Sequence, residues 1–148
     1  MKAGFKFLLV MSALIIAAVV YSNPQKIRQA LPPGLNHLSE ARLVEVKDAD
    51  GKVILTGHFP ATGDHKNEIE RTATLAGTGV DPDAKGKAEI ELVKKDGGFA
   101  KEELEITVER LAPSAGFRLY VDGNEVSAFT TSRGGKASLK FSSRYGKK

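Results

Sequence analysis

At 148 residues and 15.9 kDa the chain has room for one domain with a core of its own. Its formal charge of +4 is not a polyanion signal, because Lys2 and Lys6 stand in an N-terminal leader and the remainder holds 20 basic against 18 acidic side chains. With no cysteine, a disulfide framework, a lipid-attachment thiol, a thiolate metal site and a cysteine nucleophile are all excluded.

The leader comes first. Lys2 and Lys6 precede an uncharged apolar run over residues 7–21, the length of a secretory h-region and short for a free-standing membrane span. Residues 1–22 are therefore expected to form a hydrophobic leader helix, either a signal peptide cut before Asn23 or an N-terminal anchor with its lysines in the cytoplasm. Either way the rest of the chain is exported, to the periplasm, the cell exterior or the outer side of the inner membrane, and it meets a membrane only through residues 7–21 if the leader is retained. Asn23-Pro24 and Pro32-Pro33-Gly34 interrupt any helix, so residues 23–41 read as a spacer.

From residue 42 the apolar period becomes two. Leu43 and Val46, then Val53 and Leu55, flank the turn Asp48-Ala-Asp-Gly51, which predicts a hairpin. A strand is expected around residues 69–76. In residues 86–94, Ala88, Ile90 and Leu92 alternate with Lys87, Glu89 and Glu91, and in residues 102–111, Leu104, Ile106 and Val108 alternate with Glu103, Glu105, Thr107 and Glu109. Phe117, Leu119 and Val121, then Val126 and Phe129, then Ala137, Leu139 and Phe141 continue the series across turns at Asp122-Gly123-Asn124 and Ser132-Arg-Gly-Gly135. The expectation is an all-β fold, a single antiparallel β-sandwich of seven to eight strands over residues 42–145, with residues 146–148 as a tail. Gly86-Lys-Ala-Glu-Ile90 echoes Gly135-Lys-Ala-Ser-Leu139, as two hairpins obeying the same turn chemistry do.

The segment Leu111-Ala-Pro113-Ser-Ala-Gly-Phe117-Arg-Leu119-Tyr-Val121, continuing to Phe129-Thr-Thr131, resembles the corner of fibronectin type III and related bacterial immunoglobulin-like domains, where a leucine, a proline and an aromatic precede an alternating strand. Phe117 stands where those domains carry a tyrosine. The resemblance implies an exported β-sandwich of unassigned function and brings no catalytic residue with it.

Chemistry is sparse. Asp81-Pro-Asp83-Ala-Lys85-Gly86 begins like a calcium loop, but Lys85 occupies an oxygen position and Leu92 the place of the bidentate glutamate, so a plain turn is expected. His58 and His65 bracket a loop containing Asp64 and could form a mixed nitrogen and oxygen metal site if the loop folded back. Glu103, Glu105 and Glu109 share one outer strand face, where cross-strand lysines are the expected neighbours. No serine elbow, phosphate-cradling loop or dinucleotide fingerprint occurs. Arg118 and Tyr120 share the polar face of their strand and make a plausible contact patch.

The reading is a non-enzymatic, cofactor-free exported domain that binds an envelope protein or polysaccharide, with no nucleic-acid partner. A small metal-binding protein using His58, His65 and Asp64, and an assembly subunit pairing through edge strands, are the alternatives.

Overall fold

The computed structural model describes residues 25–35, 37–62 and 67–144. Nine strands follow in chain order: β1 (Gln25–Ala30), β2 (Leu43–Asp48), β3 (Val53–His58), β4 (Glu68–Gly77), β5 (Lys85–Lys95), β6 (Gly98–Glu109), β7 (Gly116–Val121), β8 (Asn124–Thr130) and β9 (Ala137–Ser142), with a 3-10 turn over Pro33–Leu35 between the first two. The fold is all-β, and no α-helix occurs among the described residues. None of the helices there is long and apolar enough to cross a membrane, and the expected leader helix over residues 1–22 lies outside them.

Turn chemistry sets the hairpins. Asp96 and Gly97 between β5 and β6, and Asp122 and Gly123 between β7 and β8, all take positive φ (52°, 82°, 48° and 81°), the mirror-image turn whose twist matches that of paired strands. Between β2 and β3, Asp48 Oδ1 accepts from the Asp50 and Lys52 amides, each at 2.9 Å, and Gly51 supplies φ 81°. Strand boundaries therefore follow the expected turns closely, and the Asp81-Pro-Asp83 segment forms a turn, with Ala84 N donating to Asp81 O.

The expected sandwich is not what the strands form. They make one continuous mixed sheet in the order β1-β9-β6-β5-β4-β3-β2-β7-β8, curled into a half-barrel. The reason is the β3–β4 junction, where just two register pairs, Leu55↔Gly77 and Thr56↔Ala76, hydrogen-bond what would otherwise be two separate sheets. The backbones approach so closely there that a Cβ on Gly57 would stand 2.4 Å from Thr74 O. The two halves curl about one core that includes Val44, Leu55, Leu75, Ile90, Ile106 and Leu139, each at most 1% exposed. Burying each such side chain contributes about 1.5–3 kcal/mol.

The spacer reading also needs correction. Residues 25–30 are a strand, β1, which pairs parallel with β9, and Leu35, Leu38 and Ala41 are buried in the core. The second half of the supposed tether is thus part of the domain. It is held there by Arg71, an inward-facing β4 residue only 4% exposed. Its guanidinium donates to four backbone carbonyls: Pro60 O (2.9 Å), Leu38 O (3.2 Å), Ser39 O (3.0 Å) and Ala41 O (2.6 Å). It also lies 5.3 Å from the Phe59 ring centroid. Burial lowers its pKa from the usual arginine value, with Arg42 lowering it further and Asp122 opposing. Asp122 completes the clasp by accepting from the Arg42 amide at 3.0 Å and the Leu43 amide at 2.8 Å.

Candidate functional site

The outer face of the curled sheet carries the charge, as the alternation requires. Two clusters stand out on it, one on β4, β5, β6 and β9 and one on β2, β7 and β8.

In the first, like charges oppose. Glu70 is registered with Glu91, Glu91 with Glu103, and Glu89 with Glu105, around a shallow depression of about 220 Å³. Two lysines bridge three of these carboxylates. Lys101 Nζ lies 2.7 Å from Glu91 and 3.3 Å from Glu103, while Lys140 pairs with Glu103 and sits 3.7 Å from Glu105. Glu109 pairs with Lys85 at 2.8 Å. The cross-strand lysines expected for Glu103, Glu105 and Glu109 are therefore present, but Glu103 is more buried than a solvated face implies, at 9% exposure. Burial pushes its carboxyl up, yet hydrogen bonds from Lys140 and Lys101 outweigh that and leave its pKa below the ordinary carboxylate value. Lys101 and Lys140 thus join Glu91, Glu103 and Glu105 into one ionic network across three strands.

The second cluster contains Arg118 and Tyr120. A β-bulge between Leu119 and Tyr120 shifts the β7–β8 register, so that Leu119 faces Ser127 while Tyr120 faces Glu125. The bulge brings Glu125 onto the outer face beside both predicted residues. Its Oε2 lies 3.6 Å from Arg118 Nη1 and accepts from the Tyr120 hydroxyl at 3.5 Å. From the other side β2 places Glu45 opposite Tyr120 and Lys47 opposite Arg118. Lys47 Nζ lies 4.4 Å from the Tyr120 ring centroid and 3.8 Å from Glu45. Five side chains on three strands thus make one polar and aromatic patch next to β8, an edge of the described sheet. The sequence pointed to Arg118 and Tyr120; it could not reveal Glu125, Lys47 and Glu45, because a bulge and a non-sequential β2–β7 pairing deliver them.

The metal reading names His58, His65 and Asp64. His58 is exposed at the end of β3, registered with Leu43, and His65 and Asp64 lie outside the described residues. Among the described residues no group of three His, Cys, Asp or Glu side chains is placed to hold a metal ion.

Glu102 was not singled out by its sequence, although parity with Leu104 and Ile106 would have turned it toward the core. Its Oε1 is buried with no hydrogen-bond partner, and burial raises its carboxyl above the ordinary range while His37 pulls it back. Comparison with protein-family models, curated proteins and solved structures finds no match to this chain.

Proposed function

We propose that the chain is an exported, non-enzymatic β-domain that works by contact with another envelope protein, and that the patch of Arg118, Tyr120, Glu125, Lys47 and Glu45 is the contact surface. The observation that carries the reading is the β7–β8 bulge, with Val126 as its extra residue, which assembles these side chains beside β8, an edge strand of the described sheet. The Arg118–Glu125 pair is exposed, and such pairs contribute roughly 0–1 kcal/mol to stability, so folding alone gives little reason to build it. The N-terminal leader supports the location. A protein partner fits better than a polysaccharide, because Lys47 occupies one face of the tyrosine ring that would otherwise stack on a sugar.

Site-directed photo-crosslinking in the producing cells tests this. A photoreactive aromatic residue at Tyr120 is expected to give a discrete protein adduct outside the cytoplasm, absent when the probe sits at Thr72 and lost on Arg118→Glu. Equal labelling from both positions, or an adduct that survives Arg118→Glu, would sink the contact surface.

A further inference from the structure

The sheet holds its first strand very differently from the segment that follows it. In β1, Lys26, Arg28, Gln29 and Ala30 are exposed, and among its residues whose burial is described only Ile27 packs partly against the core. Its attachment rests mainly on a ladder with β9, from Gln25↔Ala137 to Ala30↔Ser142, the one parallel pair among the described strands. Parallel pairing is slightly weaker per residue than antiparallel, and a ladder with so little apolar burial opens at low cost. Immediately after Leu31 the situation reverses. Leu35, Leu38 and Ala41 are 6%, 0% and 2% exposed, and Arg71 clamps the carbonyls of Leu38, Ser39 and Ala41.

Between the loosely held strand and the locked segment lies Leu31-Pro32-Pro33-Gly34. Each proline fixes its own φ and keeps the residue before it extended, so this link is a short, stiff hinge. If β1 leaves, β9 presents a bare edge anchored by Ala137, Leu139 and Phe141, which are buried in the core of the closed form, and so offers a template for a strand. The strand with matching register and side chains is residues 25–30 of another copy.

We infer that β1 is an exchangeable strand, and that residues 25–30 of a second copy occupy the β9 edge to join two chains. The strand contacts of the closed form are reproduced in the exchanged one, so the difference between them lies in the hinge, and a short hinge invites exchange. The inference is independent of the contact patch, which lies at the opposite edge of the sheet.

Disulfide trapping between full chains tests it, since the chain has no cysteine to interfere. Lys26 and Ser138 are register partners. Two differently tagged chains, one carrying Lys26→Cys and the other Ser138→Cys, are expressed together and compared on non-reducing gels. A covalent dimer containing both tags is expected, with none when Thr72→Cys replaces Ser138→Cys. The inference is overturned if the disulfide forms only within a single chain bearing both substitutions. It is equally overturned if the Thr72→Cys chain cross-links as well as the Ser138→Cys chain, or if no disulfide forms at all.

Discussion

Glu91 and Glu103 face each other directly across β5 and β6, and Lys101 bridges them. Two glutamates in register repel, so the lysine converts a destabilising pair into a favourable triad. The hydrogen bond to Glu91 is the main reason the Lys101 ammonium is raised above the usual lysine value.

Lys101→Met is therefore expected to destabilise the fold by roughly 1 kcal/mol at neutral pH, through the exposed repulsion of two carboxylates. The pH window follows from the shifts. Glu103 sits below its ordinary value, so its contribution holds above that value and is lost as pH falls through the lowered one. Lys101 sits above its ordinary value, so its contribution holds below that value and is lost as pH rises through the raised one. Urea unfolding across pH should show the penalty in the middle of this window and its disappearance in acid; a constant penalty would contradict the ionic origin.

Arg71 is expected to be the costliest single position outside the apolar core. Arg71→Ala leaves carbonyls of the residue 38–41 segment without donors, at a cost of about 3 kcal/mol. Arg71→Lys should recover little, because an ammonium cannot fan out to four acceptors as a planar guanidinium does. Hydrogen exchange locates the damage. Protection should fall first at the amides of Arg42 and Leu43, which this segment presents to Asp122. Full recovery by lysine would show that charge matters there rather than geometry.

The strands from residue 43 onward were legible because alternating side chains and Asp-Gly turns are local signals, and both survive into the fold. Strand β1 was not, since Gln-Lys-Ile-Arg-Gln-Ala offers one large apolar residue, and its strand character comes from β9. The single sheet was hidden for a related reason. Whether two sheets stack or fuse depends on the narrow contact of Leu55 and Thr56 with β4, which no periodicity records. Arg71 was more visible than its omission suggests: Ile69, Arg71, Ala73 and Leu75 share one parity, which places the arginine inside. At the patch, parity placed Arg118 and Tyr120 correctly on the outer face, while Glu125 needed the bulge.

The contact patch should separate binding from stability. Arg118→Ala, at an exposed side chain, is expected to change the unfolding free energy by less than about 1 kcal/mol. Its circular-dichroism melt should nearly overlay that of the unsubstituted chain, whereas the photo-adduct from a neighbouring probe at Glu125 should vanish. A large loss of stability would mean the patch serves the fold.

Glu102 gives the opposite pH behaviour from Glu103. Its folded-state pKa is raised, chiefly by burial, so the folded chain binds this proton more tightly than the unfolded one. Ionised Glu102 therefore costs stability at neutral pH, and the cost is relieved as pH falls through the raised value and is gone below the ordinary one. Glu102→Gln keeps the shape and removes the charge. It should stabilise the chain by on the order of 1 kcal/mol near pH 7, since an unpartnered buried oxygen need no longer carry charge. Below about pH 4, where glutamate is largely protonated even when unfolded, the two proteins should unfold at the same denaturant concentration. A Gln variant less stable at neutral pH would mean that the carboxylate has a partner that stabilises its charge.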